Sequence, residues 1–429
     1  MKVYIETYGC ALNKADTSLM KALILREGHE VVDDVEEAEV ILVNTCTVRR
    51  DSEERILKRL RHLSKFLSNR KLVITGCMVS TQPYTLKLTA PMASLISPQN
   101  ITKVVDVIES GTIENLIVGN RDNSQLPCHV EGAIASIPIA EGCLGNCNYC
   151  IVKLARRKLV SYKPKLIIES VRDAVARGAV EIELTAQDTA TYGLDLGDTN
   201  LPKLIQEIVN NVEGEYMIRI GMANPNTIEP ILDDLINVLK EPKVFKYLHI
   251  PLQSGDDKVL KIMGRKYSVG DFINIVKEVR KKIPEIAIAT DIIVGHPGEG
   301  EEEFENTLNT INIIQPDKVH LAQYTPRPRT ESSRMPQVSE QTKKIRSTLI
   351  AKTIEEIGMK INSSYVGSIA FSLITSTTSR KNRIFGRLIN YKPVVIFDNI
   401  IGIKQSIPKR AFMLIIYATF YDLRGRYFS

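Results

Sequence analysis

Apolar and polar positions in the first hundred residues follow the order strand, helix, strand, helix, strand. Short β-branched runs predict the strands, and longer runs with apolar residues at helical spacing predict the helices. The predicted strands are Lys2–Thr7, Val40–Asn44 and Lys71–Thr75, and the predicted helices are Asp16–Arg26 and Asp51–Phe66. This alternation is typical of a parallel sheet covered by helices. We therefore expect an N-terminal α/β domain over residues 1–110.

Each of these three strands runs directly into a cysteine, namely Cys10, Cys46 and Cys77. The carboxyl ends of parallel strands lie along one edge of a sheet, where ligands bind. We therefore expect the three thiols to converge. A single cysteine after a strand is usually a small buried hydrophobic residue, but three in the same topological position favour a binding site.

Strand and helix patterns then repeat six times over residues 130–358, after a predicted linker at 111–132. The predicted strands are Ala133–Ala140, Glu181–Thr185, Met217–Met222, Tyr247–Leu252, Ile286–Val294 and Lys318–Gln323. The predicted helices are Leu166–Arg177, Leu201–Val212, Ile228–Leu239, Asp257–Lys282 and Glu302–Ile314, with a polar helix at Glu340–Gly358. Repeated units of this length predict a partial (β/α)6 barrel with its functional residues at the carboxyl ends of the strands.

The C-terminal part of the chain, over residues 360–425, contains short β-branched runs separated by turn residues. They predict a small all-β barrel of a kind that binds nucleic acid. Ten basic and two acidic side chains follow residue 360, so this part carries a net charge of +8 within a chain of net charge +6. A basic module indicates a polyanionic partner, although a solvated basic surface is an alternative.

Seven cysteines are the unusual feature of the composition. The first residues do not resemble a signal peptide, and the apolar run at 411–418 is too short to cross a bilayer, so we expect a cytoplasmic protein without a membrane partner. In such a protein, cysteines favour metal binding or catalysis over disulfides. No two of the six histidines are close in sequence, which disfavours a mixed-ligand zinc site and leaves iron–sulfur or zinc thiolate chemistry.

Three further cysteines form a compact motif just after the first barrel strand, at Cys143, Cys147 and Cys150. Glycine and asparagine residues between them favour a loop over a helix. Three thiolates would leave one iron of a four-iron cluster open to a substrate or cosubstrate. The alternative is a zinc site completed by Cys128, which would leave the three N-terminal cysteines unexplained.

This CxxxCxxC motif on a partial barrel resembles the radical S-adenosylmethionine superfamily. Its combination with the N-terminal sequences TYGCALNKADT, NTCTV and GCM is similar to the methylthiotransferase family. The C-terminal module, with RLINYKPVVIF, resembles a TRAM domain, which is an RNA-binding barrel. The resemblance covers nearly the whole chain.

The resemblance implies two 4Fe–4S clusters and S-adenosylmethionine as cofactors, together with an electron donor. Cys143, Cys147 and Cys150 would hold the cluster that cleaves S-adenosylmethionine to a 5′-deoxyadenosyl radical, which then takes a hydrogen atom from the substrate. The N-terminal cysteines would hold an auxiliary cluster that carries sulfur, and a second S-adenosylmethionine would methylate that sulfur. The cofactors supply this chemistry, and the protein supplies its geometry.

The same resemblance implies contacts to S-adenosylmethionine from the ends of four barrel strands. One group would approach its methionine moiety, and another would line its ribose and adenine. The first group comprises Thr185, Gln187 and Asp188, and the second comprises Arg219, Gln253, Gly295 and Glu299. Loop packing or an ion pair inside the barrel is the alternative for each of these side chains.

The segment after the triplet, IVKLARRKLVSYKP, resembles the archaeal and eukaryotic branch that acts on tRNA. This implies methylthio transfer to C2 of N6-threonylcarbamoyladenosine, next to the anticodon. Isopentenyladenosine in tRNA and an aspartate of a ribosomal protein are alternative substrates, and a metal-stabilised RNA-binding protein is the non-enzymatic alternative. Arg157, His296 and Arg329 depart from the family pattern, and we expect them near the substrate mouth.

Five basic residues lie in this segment and a sixth follows it directly, and together they predict a strip that contacts RNA phosphates. A solvated basic face is the alternative. We expect Arg156 and Arg157 to contribute to tRNA binding and to its salt dependence. The strip comprises Lys153, Arg156, Arg157, Lys158, Lys163 and Lys165.

Overall fold

The computed structural model describes residues 1–66, 69–378, 383–397 and 410–428. It confirms the predicted α/β class, with an N-terminal parallel sheet, a central set of βα units and a closed C-terminal β-barrel. No helix within those ranges is both long enough and apolar enough to cross a membrane. Four of the ten basic residues in the tail lie outside the described residues, namely Arg380, Lys381, Lys404 and Lys409.

The N-terminal sheet has six parallel strands, with the second strand at one edge followed by the first, third, fourth, fifth and sixth. In chain order they are Lys2–Thr7, Glu30–Val32, Val40–Thr45, Lys71–Gly76, Ser94–Ile96 and Asn115–Leu116. The last of them lies in the segment predicted as a linker. The covering helices are Ala11–Arg26, Arg50–Phe66, Cys77–Thr81, Pro83–Thr89 and Val104–Glu109.

The central domain consists of two three-stranded parallel sheets, and Ile218 of the first sheet pairs with Val244, which lies just before the second sheet. The strands are Ile134–Pro138, Glu181–Thr185 and Met217–Ile220 in one sheet, and Tyr247–His249, Ala287–Val294 and Lys318–Gln323 in the other. Their main helices are Pro164–Ala176, Leu201–Asn211, Leu232–Leu239, Val269–Lys282, Glu301–Ile314 and Glu340–Ser363. The hydrophobic core of the domain lies between strands and helices and includes Ile182, Ile218 and Ile288.

The prediction of one helix over Asp257–Lys282 is wrong, because the chain turns within it. The structure has a helix at Asp257–Ile262 and a second one at Val269–Lys282. Gly264 between them has a φ of +74°, which a glycine adopts without strain. Ser268 then caps the second helix by accepting a hydrogen bond from the Asp271 backbone N–H at 3.1 Å, so local hydrogen bonding favours a new start over continuation.

The C-terminal barrel contacts the central domain at the amino ends of the central strands. Its five strands are Ile369–Thr378, Arg383–Leu388, Pro393–Ile396, Arg410–Ala418 and Leu423–Tyr427. The turn after its second strand carries the main contacts. Lys392 forms a 2.7 Å ion pair with Asp317, and the Tyr391 hydroxyl donates a 2.5 Å hydrogen bond to Glu181. The small barrel therefore forms a floor for the central barrel, at the end opposite to the cysteines.

Candidate active site

The three N-terminal cysteines lie together at the carboxyl edge of the first sheet. Cys10 precedes the helix Ala11–Arg26, Cys46 follows the third strand, and Cys77 begins the helix Cys77–Thr81. Gly9, with a φ of +110°, packs so closely that a Cβ there would lie 2.9 Å from the Cys46 Sγ. Cys46 and Cys77 are buried, whereas Cys10 is exposed, so one side of this site is open.

Burial shapes the chemistry of these thiols. It raises the pKa of Cys46 and raises the pKa of Cys77 to about 12. At neutral pH these groups therefore keep their protons until a metal replaces them. Asn13 connects two parts of this site. Its amide nitrogen donates to the Thr45 carbonyl at 3.0 Å, and its Oδ1 lies 3.8 Å from the Cys77 Sγ.

The CxxxCxxC cysteines lie in the loop that the sequence predicted, between the strand Ala140–Glu141 and the helix Val152–Arg156. Gly142 starts this loop with a φ of +88°, and a Cβ there would lie 1.8 Å from the Lys158 carbonyl oxygen. The Gly145 backbone N–H donates to the Cys143 Sγ at 3.2 Å. Arg265 donates to the Cys147 Sγ at 3.2 Å. Burial raises the pKa of Cys143 to about 11.

The thiols of neither cysteine set are grouped as tightly as the ligands of a single bound ion. Among the described residues, the group whose ligand atoms all lie within 4.8 Å of one another is His249, Asp291 and His320, and neither cysteine set is that compact. A tetrahedral zinc ion needs ligands that closely spaced. Cys128 does not complete either set, because it is buried and its thiol faces the Ser170 carbonyl at 3.5 Å.

The residues after the second barrel strand border the triplet directly. Gln187 accepts a 2.8 Å hydrogen bond from the Gly142 backbone N–H. Asp188 is buried and accepts from the Asn224 amide at 2.7 Å and from the Thr227 hydroxyl at 3.0 Å. A cavity of about 200 Å³ is lined by Asp188, Asn224 and Thr227 beside Cys147. Thr185 ends the strand below, paired with Pro138.

The predicted adenine-side residues divide into two groups. Gln253 lies at the carboxyl end of the barrel strands with a φ of +70°, and its side-chain oxygen is buried with no partner among the described residues. It can therefore accept a hydrogen bond from a ligand. Glu299 closes its own turn by accepting from the Gly295 N–H at 2.8 Å. Arg219 lies apart from these, 3.7 Å from Glu183 near the floor of the barrel.

A buried network of four charged residues joins the two cysteine-bearing domains. Arg156, which is 2% exposed, lies 2.5 Å from Asp16 and 3.6 Å from Glu141. Arg121 contacts the same two carboxylates, each at 2.9 Å. Because the network combines two cations and two anions, each buried charge has a partner.

The position of Arg156 in this network shows that one part of the predicted phosphate strip is wrong. Arg156 cannot contact RNA, because it is buried and both terminal nitrogens of its guanidinium donate to protein groups. Sequence inspection missed this because the Asp16 partner lies 140 residues away. Arg157, Lys158, Lys163 and Lys165 are exposed as predicted, whereas Lys153 bonds to Asn146 at 2.7 Å.

A second connection links the loop after the last barrel strand to the N-terminal domain. Arg327 is buried and donates to the Glu53 carboxylate and to the Thr47 hydroxyl, directly after Cys46. Arg329, with a φ of +63°, donates to the Thr81 carbonyl at 2.8 Å. Arg329 therefore connects the two domains near Cys77. His296 is fully buried, with Nε2 2.8 Å from the Ser332 hydroxyl.

The structure also brings together polar residues that the sequence did not connect. His249 lies 3.0 Å from Asp291, and the rings of His249 and His320 are 5.1 Å apart. The three residues lie on three neighbouring strands. Asp291 is 42 residues after His249 and 29 residues before His320 in the chain. The positive charges of Arg49 and Lys318 act on this group, which disfavours a bound cation. A period of two along each strand was the only sequence signal.

Two cysteine sets at the carboxyl edges of a parallel sheet and a partial barrel define a radical S-adenosylmethionine enzyme with an added N-terminal cysteine domain. Residues 137–311 match the radical SAM superfamily, and residues 2–97 match the Uncharacterized protein family UPF0004. The chain is 39% identical to the probable threonylcarbamoyladenosine tRNA methylthiotransferase of Pyrococcus horikoshii, over 92% of this chain and 93% of the relative. The chain belongs to the threonylcarbamoyladenosine tRNA methylthiotransferase family.

Two further comparisons agree with this assignment. The human threonylcarbamoyladenosine tRNA methylthiotransferase is 35% identical over 81% of this chain and 61% of its own length. A solved radical S-adenosylmethionine methyltransferase, TsrM from Kitasatospora setae, has a TM-score of 0.59 over 88% of this chain and 79% of its own, at 14% identity. The latter supports the fold alone.

Proposed function

We propose that this enzyme transfers a methylthio group to C2 of N6-threonylcarbamoyladenosine in the anticodon loop of tRNA, with two 4Fe–4S clusters and two S-adenosylmethionine molecules. The observation that carries the proposal is that two domains each present three thiols at a carboxyl edge, and that buried ion pairs fix these edges to each other. The names of the relatives support this substrate over isopentenyladenosine and over a ribosomal-protein aspartate.

Cys143, Cys147 and Cys150 would hold one cluster, and the N-terminal three would hold the other. When bound, the clusters and S-adenosylmethionine supply the reductive cleavage and the sulfur that the reaction needs. The protein excludes water by burying Cys46 and Cys77 and fixes the loop of the triplet through Gly142 and Gln187. It also keeps the Asp188 carboxylate oriented by three hydrogen-bond donors beside the cavity.

The basic residues that remain exposed support an RNA substrate. Arg157 and Lys158 are exposed and directly follow the buried Arg156, and the Arg157 carbonyl accepts from the Cys143 backbone N–H at 3.4 Å. We therefore propose that these two side chains contact the tRNA backbone. An external electron donor would complete the system, because the chemistry that a bound cluster would supply needs one electron. Membership of an enzyme family sets aside the alternative of a metal-stabilised binding protein.

The test is a reaction of the anaerobically reconstituted protein with S-adenosylmethionine, a reductant and tRNA that bears threonylcarbamoyladenosine. Digestion and mass spectrometry then reveal a methylthio increment. We expect the increment with the wild type and its loss in Cys46→Ala and in Cys143→Ala. Cys128→Ala is the matched control, because this thiol faces the Ser170 carbonyl and joins neither set. Absence of the increment while 5′-deoxyadenosine still forms would reject this substrate.

A further inference from the structure

Each cysteine set has an arginine close to one of its cysteines. For the triplet this is Arg265, which donates to the Cys147 Sγ at 3.2 Å. For the N-terminal set it is Arg156, which donates to the Asn13 Oδ1 at 2.7 Å, an atom that lies 3.8 Å from the Cys77 Sγ. The two arginines differ in origin, because Arg265 belongs to the same domain as its cysteines, whereas Arg156 reaches the N-terminal set from the central domain.

The position of Arg156 leaves one donor free. One terminal nitrogen donates to Asp16 at 2.5 Å, and the other donates to the Asn13 Oδ1 at 2.7 Å. The Nε–H is buried and has no acceptor among the described residues. A buried donor without an acceptor is costly, and a cluster beside Cys77 would bring sulfur acceptors to it.

Arg156 also connects the two sites in the chain itself. It ends the helix Val152–Arg156, which begins two residues after Cys150 of the triplet. The Glu141 carboxylate that it faces lies two residues before Cys143. The loop of the triplet therefore lies between two residues of the buried network, and only docking of the two domains places the guanidinium at the N-terminal cysteines.

We propose that Arg156 is a positioning residue that sets the reduction potential of the cluster held by the N-terminal cysteines and helps to retain it. The inference rests on the proposed function in assuming a cluster there. A reduced cluster carries one more negative charge than the oxidised cluster, so a buried cation stabilises the reduced form more. Charge and hydrogen bonds at the sulfurs are known determinants of cluster potential.

The experiment isolates that cluster in the full-length chain by removing the triplet cysteines. The background carries Cys143→Ala, Cys147→Ala and Cys150→Ala. After anaerobic reconstitution, iron and sulfide are counted, and the protein is titrated with dithionite and redox mediators while the reduced cluster is followed by electron paramagnetic resonance. Arg156→Gln keeps a hydrogen-bond donor but removes the charge, and Arg156→Lys keeps the charge. Arg121→Gln is the matched control, because Arg121 contacts the same carboxylates.

We expect Arg156→Gln to make reduction at least about tenfold less favourable, which is a shift of about 59 mV toward negative potential for one electron. Arg156→Lys and Arg121→Gln should stay close to the parent. An unshifted Arg156→Gln protein with its full iron content would overturn the proposal, as would an equal shift in Arg121→Gln.

Loss of iron is also decisive. Loss in Arg156→Gln alone would support the retention role, whereas loss in all three variants would overturn the proposal, because the network would then serve folding only. If the parent with alanines at the triplet binds no iron, the proposed function fails at that cysteine set, and that outcome is distinct from the others.

Discussion

The floor of the central barrel provides a sharp test of the structure, through the variant Tyr391→Phe. The Tyr391 hydroxyl donates a 2.5 Å hydrogen bond to Glu181, which is fully buried. The second oxygen of this carboxylate is buried and has no partner in the part of the chain that the structure describes. The variant removes the hydroxyl and keeps the ring, over which the Arg219 guanidinium lies 5.4 Å from the centroid. A hydrogen bond to a charged group contributes about 1.5–3 kcal/mol, so we expect the free energy of unfolding of the variant to fall by that amount.

The free energy of unfolding that this variant loses should depend on pH, and the loss should grow as the pH rises. Burial raises the pKa of Glu181, and the Tyr391 hydrogen bond is the largest influence that opposes it. At pH values between the unfolded pKa of about 4.3 and the raised folded pKa, the folded state therefore binds more protons at this carboxyl than the unfolded chain does. Such a group destabilises the fold as pH rises through its folded pKa. Because the variant raises this pKa further, its deficit should be larger near about pH 8 than near about pH 5.

The assay is urea unfolding at both pH values, with the change in midpoint converted at constant slope. Tyr421→Phe is the control, because its side chain is 61% exposed, and it should change stability by less than about 0.5 kcal/mol. An equal deficit for Tyr391→Phe at both pH values, or a deficit as small as that of the control, would refute the hydrogen bond to a charged Glu181.

Three further variants test other parts of the structure. Gly142→Ala should cost the triplet its cluster, about four of about eight irons by iron analysis, because its Cβ would lie 1.8 Å from the Lys158 carbonyl; Gly132→Ala, with open space at its φ of +63°, should keep all of them. Burial lowers the pKa of His296 to about 4, so the unfolded chain takes up a proton at this residue before the folded chain does as the pH falls. In His296→Phe the free energy of unfolding from urea titrations should therefore fall less steeply between about pH 6.5 and about pH 4 than in the wild type. An unchanged dependence on pH would contradict this. Replacing Arg157 and Lys158 with alanine should weaken tRNA binding and lower its salt slope by about 2 in filter-binding assays, and an unchanged slope would exclude phosphate contacts there.

Much of the fold follows from local pattern. The alternation around Val40–Thr45 predicts a parallel sheet, and the rule that carboxyl ends share an edge is enough to bring Cys10, Cys46 and Cys77 together. The helix break at Gly264 was missed because apolar spacing continues across it, whereas the backbone conformation of one glycine decides it.

The missed parts of the site are those that depend on distant partners. A basic run around Arg156 predicts an exposed strip, because sequence shows the run but not the buried Asp16 that meets it. The cluster of His249, Asp291 and His320 likewise requires knowing which strands are neighbours and which face each residue occupies. The amino-end docking of the C-terminal barrel depends on surface fit and has no periodic signature.

The floor contact also orders events in time. Glu181 and Tyr391 are 210 residues apart, and a ribosome adds about 5–20 residues each second. For at least about ten seconds of synthesis, the carboxylate therefore exists without the hydroxyl that binds it. During that interval the central barrel has no floor, although both cysteine sets have already been synthesised. We therefore expect the C-terminal barrel to dock onto the central domain only after both cysteine sets have been synthesised. This docking would be the last folding step of the chain.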